Sequence, residues 1–259
     1  MSWNTKITKV EPNHLVTRGY KQEDLIGTVP FSHVVHLLLK GELPSKEHGR
    51  MIDAILTACI DHGVTPPSAM ASRVVASGGV PLPTAVAAGV LSIGDAHGGA
   101  IEKGAKFFQE NVQRMKTEDL SVEKMAQIVV KESLEKKQRL LGFGHRVHTS
   151  DPRTKRLFSL ANELHITGNH IMLAHAIEKE LGTVKGKKLP INVDGAIAAI
   201  TSDMGFDWRL GKGFFLLGRV AGLTAHVYEE QTREKPKRKM FDVDCIYNGP
   251  EEKEIDKES

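Results

Sequence analysis

The stretch from Pro83 to Ile93 narrows the choice of fold more than any other. Ala85, Val86, Ala87, Ala88, Gly89, Val90 and Leu91 are small and apolar on every side of a helix, and a helix without a polar face is buried and closely packed. Its cover must be helical too, because no run of buried strands accompanies it. Val34, Val35, Leu37, Leu38 and Leu39 form a wide apolar helical face that Gly41 stops. Ser45 is placed to cap the next helix, whose buried side is Met51, Ile52, Ile55, Leu56, Cys59 and Ile60. The same spacing predicts helices around residues 68–77, 99–113, 121–137, 154–164, 168–181, 195–204 and 211–230. Strand-like alternation is confined to residues 5–27, where Ile7, Val10 and Leu15-Val16-Thr17 close at Arg18-Gly19-Tyr20 and predict a small hairpin. The expected class is mainly α with a small N-terminal β-hairpin.

With 259 residues the chain can bury one large core or two modest ones, and a net charge of +3 argues against a nucleic-acid surface while remaining compatible with small polyanions. Cys59 and Cys245 lie far apart in sequence, so neither a disulfide framework nor a zinc site is indicated, and no metal is expected. The polar start, Met1 to Lys6, has no signal-peptide core, and Val80 to Ile93 is too short and proline-interrupted to span a bilayer. The expected setting is the cytoplasm, away from the membrane.

Chemistry gathers in Gly142-Phe143-Gly144-His145-Arg146-Val147-His148-Thr149-Ser150-Asp151-Pro152-Arg153. Glycines admit dihedrals closed to other residues and so allow close backbone approach to a ligand. An imidazole between such a hinge and a cluster of cations suits proton transfer on an anionic substrate. The pair Gly142 and Gly144 is no dinucleotide fingerprint, since a preceding parallel strand and a third glycine are both missing. Taken alone, the segment reads equally well as a turn between helices with a surface histidine.

Further motifs, in order along the chain, remove that ambiguity. Gly19-Tyr20 with Asp24-Leu25 and Leu37 to Pro44, Asp61-His62, His97-Gly98-Gly99, Gly144-His145 with Asp151-Pro152-Arg153, and Asn192-Val193-Asp194 together resemble the citrate synthase superfamily from about Val16 to Tyr247. The resemblance implies a citrate-synthase-like two-domain helical fold, with a large domain from 1–102 plus 204–259 and a small one from 103–203. It implies carbon–carbon bond chemistry between a coenzyme A thioester and a keto acid, without metal and without a permanently bound cofactor. His97, His145 and Asp194 match the catalytic positions: His145 for the hydroxyl proton, His97 for the thioester oxygen and Asp194 for the proton on carbon. His62, Arg153 and Arg219 match carboxylate-binding positions, with Arg238, or its rival Arg233, as the arginine supplied to a neighbouring subunit. The backbone of Leu141, Gly142, Phe143 and Gly144 would surround the adenine. Plainer readings coexist: His97 as a helix-end histidine, Asp194 as a helix cap, Arg219 as one half of a structural ion pair, and the basic run Lys235 to Lys239 as solvated surface.

Departures from the synthase pattern decide the expected reaction. The chain is markedly shorter, Gly63 stands where synthases place glutamate, Gly94-Asp95 precede Ala96-His97, and Gly195 stands where synthases carry an aromatic residue. These features resemble the citryl-CoA lyases and the C-terminal module of ATP citrate lyase, although that module departs at the position of His97. The expected activity is cleavage of citryl-CoA to acetyl-CoA and oxaloacetate. Citrate or 2-methylcitrate synthesis is the alternative within the family, and a non-catalytic CoA-binding partner of a citryl-CoA ligase is the alternative outside enzymology. Small residues along Pro83 to Ile93 suggest a homodimer or higher homo-oligomer, with a citryl-CoA ligase as a further partner.

Overall fold

In the computed structural model of the chain, residues 2–144, 151–238, 248–249 and 251–252 are described. An antiparallel sheet opens the chain, with β1 Thr8–Glu11, β2 His14–Thr17 and β3 Tyr20–Lys21 in that order. Thr8 faces Thr17, and Val16 faces Lys21. The predicted hairpin is therefore present with one strand more, because Arg18 and Gly19 both take positive φ and turn the chain back a second time.

Helices follow: α1 Gln22–Leu25, α2 Phe31–Lys40, α3 Lys46–Cys59, α4 Pro67–Ser77, α5 Leu82–Leu91, α6 Ala100–Thr117, α7 Val122–Glu135, α8 Pro152–Glu163, α9 Asn169–Lys185, α10 Val193–Asp203 and α11 Gly211–Arg233, with a 3-10 turn at Trp208–Leu210 before the last. Their ends obey local chemistry. Gly41 closes α2 in the left-handed region at φ 90°, and Ser45 caps α3 by accepting from the His48 amide at 3.2 Å. Among the described residues no helix is long and apolar enough to cross a membrane.

The main core cluster takes in Met51 and Ile55 of α3, Phe108 of α6, Met125 of α7, Leu173 of α9, Ile197 and Ile200 of α10 and Phe214 of α11, and a smaller one gathers Ala76, Ala85 and Val227. Full burial of side chains of this size contributes about 1.5–3 kcal/mol each. The helix enclosed on all sides is α10, where every residue from Gly195 to Ser202 is buried. That corrects the expectation for the Pro83 to Ile93 stretch. Within one chain α5 buries Ala85 and Gly89 alone, and Leu91 remains 85% exposed. Helix α5 packs on α4 and α11 through Gly89, where a Cβ would strike the Ser72 hydroxyl, and its outer face is left exposed among the described residues.

Helix α11 crosses the end of α3 at two glycines. A side chain at Gly218 would meet the Leu56 carbonyl at 2.5 Å, and one at Gly222 would collide with the Ile60 carbonyl. This close crossing sets Arg219, between those glycines, against the C-terminus of α3.

Candidate active site

His97 stands in a tight turn between α5 and α6. The turn is closed by two backbone bonds, Gly94 N to His97 O at 2.9 Å and His97 N to Gly94 O at 3.1 Å. Gly98, at φ +83°, has Phe215 pressed against it, so a Cβ there would lie 2.7 Å from the aromatic ring. The half-buried imidazole meets Phe215 edge to face, with centroids 5.5 Å apart. Its Nε2 lies 2.8 Å from the hydroxyl and 3.4 Å from the backbone nitrogen of Ser68, a fully buried residue in the first turn of α4. A backbone N–H can only donate, so Nε2 is the acceptor and the proton resides on Nδ1. Burial, and then the charge of Arg219, hold the His97 pKa below its ordinary value, and the positive end of α4 acts in the same sense. The result is a neutral imidazole with one N–H to offer.

Asp194 lies in the first turn of α10. The cap of that helix is Asn192, whose Oδ1 accepts from the Gly195 amide at 3.1 Å, so Asp194 is released from the capping role that its sequence position also allowed. Burial raises its carboxyl pKa and Asp151 adds to the rise, while Arg153 and Arg219 oppose it. The thiol of Cys59 is pushed up to about 12, first by burial and next by Asp194, against the pull of Arg219 and Arg153. Asp194, Cys59, Arg153 and Arg219 thus share one electrostatic neighbourhood, and His97 adjoins it through Arg219.

Arg219 is 3% exposed. Its Nε donates to the Cys59 carbonyl at 2.9 Å, its guanidinium carbon lies 4.8 Å from the Phe215 ring centroid, and among the described residues Nη1 is buried without a hydrogen-bond partner. No carboxylate of the described residues lies within ion-pair distance of it. Arg153, at the start of α8, is gripped along one edge by Asp151, from Nε to Oδ1 at 3.1 Å and from Nη2 to Oδ2 at 2.8 Å. Its Nη1 donates to the Ala58 carbonyl at 3.5 Å. His62 lies in the exposed segment after α3. Arg238 is held elsewhere, by Glu230 at 3.0 Å and Glu234 at 2.8 Å. Glu230 sits about three turns beyond Arg219 on α11, about 16 Å along the axis. Arg233 pairs with Glu229 at 3.0 Å. Neither arginine is brought to Arg219 within its own chain. His145 and Arg146 lie outside the described residues, as does Cys245.

The glycine turn forms as its sequence suggests, with φ +88° at Gly142 and +77° at Gly144. Its backbone is largely spoken for. Gly142 O accepts from Asn192 N at 2.9 Å, Gly144 O accepts from the Asn192 side chain at 2.9 Å, and Gly144 N donates to Pro190 O at 2.7 Å. Phe143 is buried, leaving Leu141 as the exposed member. Gly195 is explained by the same contact, since a Cβ there would collide with the Gly142 carbonyl. Beside the turn lies a cavity of about 480 Å³ lined by Lys137, Arg139, Leu140, Phe143, Lys185 and Leu189, and next to it a groove of about 610 Å³ with Lys179, Lys187 and Lys188 on its walls. Among the described residues no group of His, Cys, Asp or Glu could hold a metal ion.

Sequence reasoning missed Ser68 and the Asp151 grip on Arg153. The signal for Ser68 was its place directly after Pro66-Pro67, at the head of a helix, where its amide and hydroxyl must find an acceptor. For Asp151 it was the spacing to Arg153 across a proline, which starts a helix with the aspartate as cap.

The model of the citrate synthase C-terminal domain matches residues 44–240. Citrate synthase 2 of Bacillus subtilis is 31% identical over 220 residues, which is 84% of this chain and 55% of that protein, so the chain spans about half the length of this relative. The structure of citryl-CoA lyase from Hydrogenobacter thermophilus superposes with a TM-score of 0.89 at 50% identity, covering 99% of this chain and 98% of that one. ATP citrate lyase from Methanothrix soehngenii, solved in complex with citrate and coenzyme A, gives a TM-score of 0.80 at 26% identity over 99% of this chain and 43% of the larger protein.

Proposed function

The chain belongs to the citrate synthase family, and on that premise we propose that it is a citryl-CoA lyase, cleaving citryl-CoA to acetyl-CoA and oxaloacetate. The observation that carries this reading is the end-to-end likeness to the Hydrogenobacter lyase at 50% identity. The site chemistry agrees with it. As the bond between the hydroxyl-bearing carbon and the carbon next to the thioester breaks, His145 takes the hydroxyl proton and the carbonyl of oxaloacetate forms. The bonding pair moves toward the thioester oxygen, where Nδ1–H of His97 donates to the developing enolate. Asp194 then gives its proton to the released carbon. A carboxyl whose pKa is raised by burial is suited to carry that proton. The proton held by His145 balances the one spent by Asp194. Each step uses a side chain of the protein and calls for neither a metal nor a resident cofactor.

Arg219 and Arg153 would take the carboxylates, with His62 beside them. Leu141 to Gly144 would line the adenine, and the lysines at 137, 185, 187 and 188 supply positive charge for the CoA phosphates. Dividing the chain into 1–102 plus 204–259 and 103–203 puts His97 and Arg219 on one body and Asp194 on the other, so that closure would complete the site and exclude water. The uncovered face of α5 supports association with a second copy of the chain, and citryl-CoA itself requires a separate ligase to make it.

Synthase activity is the second reading, favoured by the retained His97 and the likeness to citrate synthase 2. One pair of assays separates them. Supplied with citryl-CoA, a lyase releases oxaloacetate, read through malate dehydrogenase, with little free thiol. Supplied with acetyl-CoA and oxaloacetate, a synthase releases free thiol quickly. Fast thiol with no oxaloacetate release overturns the lyase reading, and silence in both assays leaves a CoA-binding role.

A further inference from the structure

We propose that His226 is a positioning residue for the loop bearing His62 and acts through Asp61, a role that rests on the lyase reading above. Asp61 to Val64 are exposed between α3 and α4, and the Asp61 carboxylate is one of the groups that set their path. Oδ2 of Asp61 accepts from the Gly63 amide at 3.0 Å, folding the loop over a glycine at φ +76°, and Oδ1 lies 2.8 Å from Nε2 of His226 on α11.

The direction of that second bond is fixed by a third residue. Nη1 of Arg73 approaches Nδ1 of His226 at 3.4 Å. A guanidinium can only donate, so Nδ1 is the acceptor and Nε2 carries the proton toward Asp61. Arg73 is itself immobilised, with its side chain 7% exposed and paired to Glu229 at 2.9 Å and Glu230 at 2.7 Å. A chain of donors and acceptors therefore runs from α4, through α11, to the turn that presents His62.

Asp61 also bears on the site electrostatically. Burial lowers the pKa of Arg219, and the charge of Asp61 is the largest influence acting the other way. Burial likewise pushes the Asp61 carboxyl up, but bonds from Gly63, His226 and the His62 amide outweigh it and hold the group below its ordinary value. The same carboxylate thus folds the His62 loop and adds its charge to the field at Arg219. Loosening it should weaken the grip on the oxaloacetate portion of the substrate and leave bond cleavage, once substrate is bound, little changed.

The test uses the full chain with His226→Ala and His226→Gln, the second keeping an amide N–H within reach of Asp61. Oxaloacetate binding is measured by calorimetry, citryl-CoA cleavage by kcat and KM, and folding by thermal unfolding. His226→Ala is expected to weaken oxaloacetate binding and raise KM by about tenfold, the scale of a mispositioned ligand group, with kcat within about twofold. His226→Gln is expected to recover most of the loss at a similar unfolding temperature. Wild-type affinity in the alanine variant, or a glutamine variant that folds and binds as poorly as alanine, overturns the positioning role. A wild-type protein that neither binds oxaloacetate nor cleaves citryl-CoA removes the lyase reading and this proposal together.

Discussion

Ser68 and His97, 29 positions apart, meet with the serine hydroxyl 2.8 Å from Nε2 of the imidazole, and the serine amide closes on the same nitrogen at 3.4 Å. Replacing Ser68 by alanine removes the stronger of these bonds without adding bulk. The Ser68 amide still donates to Nε2 and keeps the proton on Nδ1, but with one bond of 3.4 Å in place of two the ring is held less firmly against the enolate oxygen. We expect kcat for citryl-CoA cleavage to fall about tenfold, less than the roughly 10²–10³ expected for removing the donor itself. A stability loss of about 1 kcal/mol is expected, the net worth of one hydrogen bond. Steady-state kinetics with a thermal melt checks both, and an unchanged kcat shows that the amide alone holds the ring.

Asp194→Asn should reduce turnover by at least about 10², within the range for a positioned acid or base, while oxaloacetate still binds. Its effect on stability has a defined sign. Because burial raises the folded-state pKa above the ordinary value, the folded chain holds more protons than the unfolded one between the two values. Stability from this group is therefore present below the unfolded pKa and is lost as pH rises through the folded one. Asparagine carries no such cost, so the variant should melt higher than the wild type near neutral pH, with the gap closing in acid. Melting curves across pH test this, and a variant less stable than wild type at neutral pH argues that Asp194 is ionised and well paired.

Helix spacing was the part of the fold most open to reading. Val34 to Leu39 with Gly41, and Ser45 before Met51 to Cys59, gave α2 and α3 within a residue or two because periodicity and caps act locally. Which apolar helix is central was not legible. Pro83 to Ile93 and the stretch after Asp194 both look buried all round, and the difference lies in partners far along the chain that encircle α10 and leave one face of α5 open. At the site, motif order named His97, Arg153 and Asp194 as candidates and family position named Arg219, and in the structure the charges of Asp194, Arg153 and Arg219 act on one another. The grip of Asp151 on Arg153 and of Ser68 on His97 follows from how helices α8 and α4 begin, and the binding of Arg238 by Glu230 and Glu234 from packing that spacing does not reveal.

Gly195 stands where synthases carry an aromatic residue, and in the structure it packs against Gly142. Gly195→Ala drives a methyl group into the Gly142 carbonyl, which must shift with the turn it belongs to. Overpacking of this kind costs about 1–3 kcal/mol. Since the displaced turn is the one proposed to line the adenine, KM for the CoA thioester should rise about tenfold or more, the scale of a displaced binding element, with kcat at saturation changing less. Titration with coenzyme A alone separates this from damage to the carboxylate site, where oxaloacetate affinity should stay near wild type.

Arg219→Lys tests whether the buried cation is a carboxylate fork or a structural support. Arginine here spends one N–H on the Cys59 carbonyl, stacks on Phe215 and, among the described residues, keeps Nη1 without a hydrogen-bond partner. Lysine preserves the charge but has a single nitrogen, which cannot serve the carbonyl and grip a carboxylate along two parallel bonds. If the open edge of the guanidinium serves substrate, the variant should lose about 2–3 kcal/mol of oxaloacetate affinity, the upper part of the range for hydrogen bonds to charged groups and close to 100-fold in Kd. A support role would appear instead as a lower melting temperature with affinity unchanged. Citrate or oxaloacetate should also raise the melting temperature of the wild type, because the ligand supplies an anion to this buried cation, and that rise should disappear in the lysine variant. A full ligand-induced shift in Arg219→Lys would move the carboxylate site away from α11 and place its weight on Arg153.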